Sequence, residues 1–307
     1  MKLLVFSSGY RAHLHIKNRT ALERMCASCG IEFEHTTHLH RIQSQPDYDI
    51  LFVTNEFVDI SIVPHHVKIV YGPQFWVFPE GPMVGPLDDQ YRTRAVYNCL
   101  SQWVHTLYIE TAQSLRAPIV TLPFSVDTSK FKPAYPREEP LYDCIVYWKR
   151  RANTTLRTTL DYLDQCRLKY IVFTYGSYNE VAYLHALHHT KWVLAIDAHE
   201  SQGFALEEAM STDVPLLVLD ATSMYDEIDN GRVIYENKRP LKLSATSVPY
   251  WSEGETGLRI TSLNELPSAI DTMIEMYASY RPRDYILRTL SDEVCMRRVL
   301  TTLGMRC

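Results

Sequence analysis

The sequence predicts an α/β protein made of two doubly wound, Rossmann-like domains. Short apolar runs alternate with helix-like stretches along most of the chain, and this rhythm is typical of parallel sheets covered on both faces. Segment 125–143, with three prolines and many charges, interrupts the alternation and predicts an interdomain connection. The 307 residues also fit two domains of about 150 residues each.

The first domain, predicted at 1–124, begins with the run KLLVFSS. This run and later apolar or alternating runs predict strands at 2–8, 31–39, 48–56, 67–72 and 117–124. Apolar residues recur on one face of 17–29, which predicts a helix, and a second helix is predicted over 95–110.

The second domain, predicted at 125–283, repeats the alternation. Its apolar runs predict strands at 143–148, 169–176, 191–197 and 214–220. The intervening segments predict helices near 151–165, 178–189, 204–212, 262–280 and 281–304. We expect the two domains to face each other across a cleft that holds the ligand, with helix 284–307 packing back on the first domain.

Composition limits the partners and the compartment. A net charge of −5 without a basic block argues against nucleic acid as a partner. Seven scattered cysteines favour reduced thiols and a cytoplasmic location. The short apolar run at the start does not resemble a signal peptide. No segment reaches the about 18 apolar residues of a membrane span, so no transmembrane anchor is expected.

A glycine-containing turn between a predicted strand and a helix is the first candidate site, in the stretch HESQGFALEEAM. Gly203 allows a tight turn and a close approach to a ligand, and the N–H groups of Phe204 and Ala205 suit a phosphate. Glu200 precedes the turn and Glu208 follows it. A carboxylate can accept hydrogen bonds from both hydroxyls of a ribose. A solvated helix face bearing three glutamates is the alternative interpretation.

Two other predicted strands of this domain end in polar residues. The run DCIVYWKRR places Lys149, Arg150 and Arg151 directly after a strand, where cations suit a diphosphate. A basic helix start at the surface is the alternative. The next strand is followed by residues that suit either a nucleotide base or an ordinary turn: Tyr175, Gly176, Ser177 and Tyr178.

Two loops of the first domain are candidates for the acceptor side. The stretch SSGYRAH follows the first strand and contains Gly9, Arg11 and His13. The proline-rich aromatic loop GPQFWVFPEGP contains Gln74. In a two-domain enzyme, we expect the first of these loops to face the second domain.

Three motifs occur in the order found in a known family. Glu200 and Glu208 have the spacing E-x7-E, LPFSVDTSKFKP (122–133) is similar to P-x-G-V-D-x-x-x-F-x-P, and EEAMSTDVPLLV (207–218) is similar to E-A-M-A-x-G-x-P-V-V. The chain therefore resembles the GT-B glycosyltransferases of group 1 (GT4-like). The likeness covers most of the chain and is strongest between 120 and 220. The ESQG form resembles a divergent viral or microbial branch.

The sequence departs from the family pattern at several positions. Gly203 stands three residues after Glu200, whereas the family has glycine directly after the glutamate. Ser125 and Asp213 occupy positions where glycine is usual, and the compact run Lys149–Arg151 replaces a more widely spaced Arg and Lys. These departures leave the nucleotide and the sugar open, with UDP and GDP among the candidate carriers.

The resemblance implies a retaining transferase that moves a hexosyl or pentosyl group from a nucleoside-diphosphate sugar to a hydroxyl of a glycan or glycoconjugate, with no cofactor and no metal required. Glu200 is implied to orient the transferred sugar. Lys149 and one of Arg150 or Arg151 are implied to hold the leaving diphosphate, with Lys149 and Arg150 stabilising its charge. His13 or Arg11 is implied to lie near the reacting carbon or the acceptor, and His13 is the best candidate for the base if the transferase inverts instead.

The resemblance also implies a donor-binding set and an acceptor-side set. The donor-binding residues are Glu208, Gly203, Phe204, Ala205, Arg151, Tyr175, Gly176, Ser177 and Tyr178. The acceptor-side residues are Gly9, Arg11 and Gln74.

Two alternative functions and two alternative metal sites fit parts of this sequence. A non-catalytic nucleotide-sugar-binding partner of another transferase and a two-domain nucleotide-sugar epimerase are the alternative functions. The D-x-D pattern at 47–49 is the metal motif of another transferase architecture. Here it lies at a strand start, where a carboxylate in a turn is common, so a metal site is not favoured. The histidines at 35, 38 and 40 lack a fourth ligand at convincing spacing for zinc. We expect a monomer or weak homodimer in the cytoplasm, which is the host cytoplasm if the protein is viral.

Overall fold

The structure is a computed structural model that describes residues 1–7, 16–54, 56–73, 81–111, 114–135, 139–238 and 243–306. The chain forms two compact units. The first comprises Met1–Ser125 and Leu290–Cys307, and the second comprises Val126–Thr289. The assignment of acceptor binding to one domain and donor binding to the other stays a prediction.

The described part of the first unit contains a six-stranded sheet in which all neighbours are parallel. Its strands are β1 (Lys2–Ser7), β2 (Glu32–Thr36), β3 (Ile50–Thr54), β4 (Lys68–Tyr71), β5 (Ala95–Cys99) and β6 (Ile119–Thr121). Their order across the sheet is β2-β1-β3-β4-β5-β6. Every residue of β3 is buried, as expected for a parallel strand covered on both faces.

Helices α1 (Ile16–Ser28), α2 (Leu39–Ser44), α3 (Asp89–Arg94) and α4 (Gln102–Glu110) connect these strands. The predicted helix over 95–110 is wrong in its first part, because Ala95–Cys99 is strand β5. This segment pairs with β4 on one side and β6 on the other, and Tyr97 is fully buried. Tertiary pairing between two strands therefore decides its conformation, and the helix begins only after Ser101.

The second unit contains a five-stranded parallel sheet within the described residues. Its strands are β7 (Tyr142–Lys149), β8 (Tyr170–Thr174), β9 (Thr190–Asp197), β10 (Leu216–Leu219) and β13 (Gly257–Ile260), in the order β13-β10-β9-β7-β8. A small antiparallel hairpin is formed by β11 (Ile228–Asp229) and β12 (Arg232–Val233). The sequence did not predict β13 or the hairpin.

The helices of the second unit are α5 (Asn153–Gln165), α6 (Glu180–His188), α7 (Phe204–Ser211), α8 (Leu266–Met276) and α9 (Pro282–Thr289). Asp213, at a position where glycine is usual in the resembled family, has a positive φ of 63°, a region that Asp tolerates better than most residues. Arg283 of α9 donates hydrogen bonds to the carbonyls of Phe131 (3.1 Å) and Thr128 (3.2 Å). These bonds hold the segment that opens the second unit.

A terminal helix, α10 (Asp292–Thr302), belongs to the first unit and contacts α1. Ser125 donates a hydrogen bond to the carboxylate of Asp292. Arg24 of α1 reaches the same carboxylate at 3.4 Å. The serine that replaces the usual glycine thus joins the end of the first unit's main segment to its terminal helix.

Candidate active site

The site begins with two neighbouring strands of the second sheet that end at the same level. In the register of β7 and β9, Lys149 lies opposite Asp197. Residues opposite each other in paired strands point to the same face, and Nζ of Lys149 lies 4.0 Å from Oδ1 of Asp197. Lys149 also forms an ion pair with the carboxylate of Glu200, three residues beyond β9.

Lys149 is largely buried among these groups and an aromatic ring. Its ammonium lies 4.6 Å from the ring centroid of Tyr175, a cation–π arrangement. Burial alone lowers the pKa of Lys149, but the acidic neighbours Asp197 and Glu200, the latter through its ion pair, outweigh it and leave this pKa above its ordinary value. Lys149 therefore carries its positive charge at neutral pH.

A cavity of about 720 Å³ opens beside Lys149 in the second unit. It is bordered by the end of β7, the start of α5, the end of β8 and the hairpin β11–β12. Its lining residues are Trp148, Lys149, Arg150, Arg151, Ala152, Asn153, Thr154, Thr174, Tyr175, Gly176, Ile228, Asp229, Asn230 and Gly231. Five predicted site residues, 149–151, 175 and 176, are thus brought together around one space.

Arg150 is held between the cavity and a buried carboxylate. Its φ is +48°, and its guanidinium donates to Oε1 of Glu227 at 2.7 Å. Nε2 of His199 lies 2.8 Å from the other oxygen of Glu227. Burial raises the pKa of Glu227, but His199 and Arg150 lower it more, so that it falls to about 2. Glu227 is therefore ionised at neutral pH and orients Arg150.

Arg151 uses its guanidinium to join the ends of two strands. Nη1 donates to the main-chain carbonyl of Asp197 at 2.9 Å and lies 3.5 Å from that of Leu219. Asp197 and Leu219 are the last residues of β9 and β10. Arg151 lines the cavity, but its guanidinium contacts the sheet edge.

The turn from β9 to α7 has the geometry that the sequence predicted. Gly203 precedes α7 with φ +95°, a conformation that glycine adopts without strain. A Cβ at this position would lie in ordinary contact with Cβ of Glu200, at 3.4 Å, so the positive φ is what requires glycine here. Phe204 and Ala205 form the first turn of α7.

Glu208 and its neighbour lie on the buried part of α7. Glu208 is 4% exposed and Glu207 is 1% exposed. Gln202 donates to Oε2 of Glu207 at 3.0 Å. Among the described residues that line the cavity, neither Glu200 nor Glu208 occurs. The two glutamates of the E-x7-E spacing therefore do not line the cavity that contains Lys149, Arg150 and Arg151. Glu200 instead contacts Lys149, a residue of that lining.

The residues predicted to flank a base separate into two groups. Tyr175 is half exposed and lines the cavity with Gly176. Ser177 instead donates to the carbonyl of Thr174 at 3.0 Å, which closes a turn. Tyr178 packs against Phe173, with ring centroids 5.5 Å apart, and belongs to an aromatic cluster.

In the first unit, the corresponding edge of the sheet carries hydroxyl groups and a histidine. Oγ of Ser7, at the end of β1, lies 2.8 Å from Nε2 of His35 on β2. Thr36 and Thr54 end the flanking strands and are buried. The predicted residues Gly9, Arg11, His13 and Gln74 lie outside the described residues.

Sequence reasoning missed several residues of the site. Asp197 ends an apolar strand, and its acidic side chain at a strand end was the available sequence signal, whereas only the register with β7 places it beside Lys149. His199 directly precedes Glu200 in the sequence. Glu227 had no signal in the sequence, because its partner Arg150 lies 77 residues away along the chain. Within the described ranges, no group of three or more His, Cys, Asp or Glu could hold a metal ion.

Solved structures with a similar fold are glycosyltransferases. AviGT4, a glycosyltransferase involved in avilamycin A biosynthesis, has a TM-score of 0.61 at 12% identity, covering 99% of this chain and 97% of that one. A glycosyltransferase from Rickettsia africae has a TM-score of 0.55 at 11% identity, covering 99% and 97%. The lipopolysaccharide outer core galactosyltransferase WaaB has a TM-score of 0.54 at 12% identity, covering 99% of each chain.

These similarities confirm the predicted α/β fold of GT-B class over nearly the whole chain. At such identities they show the fold alone, and the chemistry must be argued from the site. No family model and no curated protein matches the sequence. Every helix among the described residues is too short or too polar to cross a membrane.

Proposed function

We propose that the protein is a glycosyltransferase that moves a sugar from a nucleoside-diphosphate sugar to a hydroxyl of a glycan or glycoconjugate. The observation that carries this proposal is the Lys149–Glu200 ion pair at the end of β7, beside a cavity that Arg150 also lines. The fold is of GT-B class, and its solved neighbours are glycosyltransferases. We propose further that the transfer retains the configuration of the sugar.

Lys149 and Arg150 are proposed to hold the diphosphate. Departure of the nucleoside diphosphate places negative charge on its β-phosphate, and fixed cations stabilise that charge more in the transition state than in the ground state. One preorganised donor at such a place contributes about 3 kcal/mol. With two cations of the chain at the leaving group, the proposed reaction needs no metal.

Glu200 and Glu208 are proposed to bind sugar hydroxyls. Glu200 keeps 17% of its side chain exposed beside Lys149, so its carboxylate can orient the transferred sugar close to the diphosphate. Glu208 is proposed to bind the ribose, and this role requires α7 or its surroundings to open, because its side chain is buried. Tyr175 and Gly176 are proposed to contact the base, whereas Ser177 and Tyr178 shape the turn.

The acceptor is proposed to bind the first unit. Its described sheet edge offers Ser7, His35, Thr36 and Thr54, and hydroxyl and imidazole groups suit the hydroxyls of a glycan. His13 stays the predicted residue nearest the reacting carbon.

The first test is a thermal-shift panel of UDP-, GDP-, ADP- and dTDP-sugars, followed by a turnover assay with the sugar that binds. A ligand that binds only the folded state raises the melting temperature. We expect one nucleotide class to do so, and to be consumed in the presence of a glycan acceptor. A panel in which nothing binds would contradict the proposal.

The Glu200→Gln variant separates a transferase from a binding protein. Glutamine keeps the size of the side chain and removes its charge, so we expect donor binding to persist and kcat to fall about a hundredfold. Glu275→Gln, on the exposed face of α8, is the matched control and should behave as wild type. If Glu200→Gln turned over at the wild-type rate, Glu200 would have no role in the reaction.

A further inference from the structure

The carboxyl group of Asp197 is the buried ionisable group at this site that the proposed reaction does not use. Asp197 ends β9 and is 0% exposed. Its main chain is firmly held, because Ser247 and Arg151 both donate to its carbonyl oxygen at 2.9 Å. Among the described residues, neither of its carboxyl oxygens accepts a regular hydrogen bond.

Asp220 is a buried carboxyl group with hydrogen-bond donors at the same place on the next strand, where burial raises its pKa and the donors lower it in part. It directly follows β10 and accepts hydrogen bonds from the amide of Ser247 (2.6 Å) and the hydroxyl of Thr246 (2.9 Å). Arg259 lies 3.6 Å from its other oxygen. Asp197 has Lys149 at 4.0 Å instead, and that ammonium is already paired with Glu200.

The charges around Asp197 favour either its ionised or its protonated form. Lys149 and Glu200 together are neutral, so an ionised Asp197 would give this group of three side chains a net negative charge beside the space proposed for the diphosphate. A buried carboxylate without hydrogen-bond donors is costly, and protonation relieves that cost. We propose that Asp197 acts as a neutral carboxylic acid, a positioning residue that supports Lys149 and Glu200 and leaves the lysine charge to the diphosphate. The role toward the diphosphate rests on the proposed function.

The surroundings support the neutral form. Burial raises the pKa of Asp197 well above its ordinary value, and the charge and side chain of Glu200 raise it further, while Lys149 and the amide of Ala198 lower it in part. From β7, Tyr147 also faces this group. Arg151 reaches only its main-chain carbonyl, and on the β10 side Asp220 is occupied by Thr246 and Ser247.

Stability as a function of pH tests this proposal without any ligand. If native Asp197 keeps its proton while the unfolded chain loses it, the native state binds one proton more and stability falls as pH rises. We therefore expect the ratio of the wild-type unfolding constant to that of Asp197→Asn to rise up to tenfold for each pH unit above about pH 4. A ratio that is flat or falls with pH would overturn the proposal.

Asp143→Asn is the matched control, at the other end of the same sheet. Asp143 pairs with Lys191 at 2.6 Å, and although burial raises its pKa, Lys191 and the amide of Lys169 leave this pKa lowered. The corresponding ratio for Asp143→Asn should therefore stay flat above about pH 4 and rise only as the pH falls below that value. If Asp197→Asn does not fold, infrared spectroscopy of the wild-type protein at neutral pH provides the second measurement. A protonated carboxyl band is expected, and its absence would overturn the proposal.

Activity provides a separate readout. Asp197→Ala should lower kcat about a hundredfold, because Lys149 and Glu200 lose their support, and Asp197→Asn should recover most of that loss. Equal loss in both variants would show that a charged carboxylate is needed. If the wild-type protein binds no nucleoside diphosphate, the proposed function fails, whereas the pH dependence of stability still decides the protonation of Asp197.

Discussion

The carboxyl edges of the two parallel sheets carry opposite chemistry. In the first unit, β1–β3 end in Ser7, Thr36 and Thr54, with His35 within 2.8 Å of the serine hydroxyl. Burial and then the charge of Arg19 lower the pKa of His35, so the four side chains described at this edge, which we call the uncharged edge, are neutral at neutral pH. In the second unit, the equivalent edge carries Lys149 and the carboxylate of Glu200.

The difference shows that the sheet supplies only the place and the terminal residues supply the chemistry. Both edges arise because parallel strands end at one side of a sheet, the usual ligand side of such folds. The charged edge suits a leaving diphosphate, and the uncharged edge suits the hydroxyls of an acceptor. We therefore assign the donor to the second unit and the acceptor to the first, as proposals.

Lys149→Ala should break the charged edge and has the largest expected effect. Removing the ammonium takes away the main cation of the cavity and the partner of Glu200, so we expect kcat/KM to fall about a thousandfold. Steady-state kinetics and donor-binding calorimetry would measure this. Lys191→Ala, on the same sheet but paired with Asp143, is the control. A similar loss there would mean that the effect is not specific to the site.

Glu227→Gln should loosen Arg150 and change the acid stability of the protein. The pKa of Glu227 is about 2 instead of its ordinary 4.5. A lowered pKa stabilises the fold above the ordinary value, and this contribution is lost as pH falls from about 4.5 toward about 2. At neutral pH we expect a loss of about 3 kcal/mol. Denaturant titrations should show that the difference in unfolding free energy between wild type and Glu227→Gln decreases at low pH. A difference that does not depend on pH would contradict the role of Glu227.

Gly203→Ala tests the turn that positions Glu200. The φ of +95° strains any other residue, and relief of that strain would shift the turn that contacts Glu200, whose Cβ lies 3.4 Å from the position of the added Cβ. We expect stability to fall by about 1 to 2 kcal/mol and kcat to fall about tenfold. Gly254→Ala, also at positive φ but with open space around it, should lose stability and keep its kcat.

His35→Ala probes the uncharged edge and has the smallest expected effect. Losing one contact to the acceptor should raise the acceptor KM several-fold, about 1 kcal/mol, without changing the donor KM. His38→Ala, exposed just beyond β2, is the control. A change in donor KM in His35→Ala would contradict the division between the two edges.

Much of the fold could be predicted because local patterns dictate it. The buried strands β7 and β9 are continuous apolar runs, and Gly203 marks the turn that follows β9. The segment 95–99 could not be assigned correctly, because its apolar residues suit a helix or a strand and only its two strand neighbours decide. Nor could the hairpin be predicted, since each of its strands has two residues.

By itself, the sequence determined the chemistry available at the strand ends: the cations at 149–151, the glutamates at 200 and 208, and the glycine between them. Only the tertiary structure decided which of these groups meet. Lys149 contacts Glu200 because β7 and β9 are neighbours, while Glu208 is buried on α7, outside the cavity. The reason is that strand order and register follow from packing of the whole sheet, which no local stretch of residues encodes.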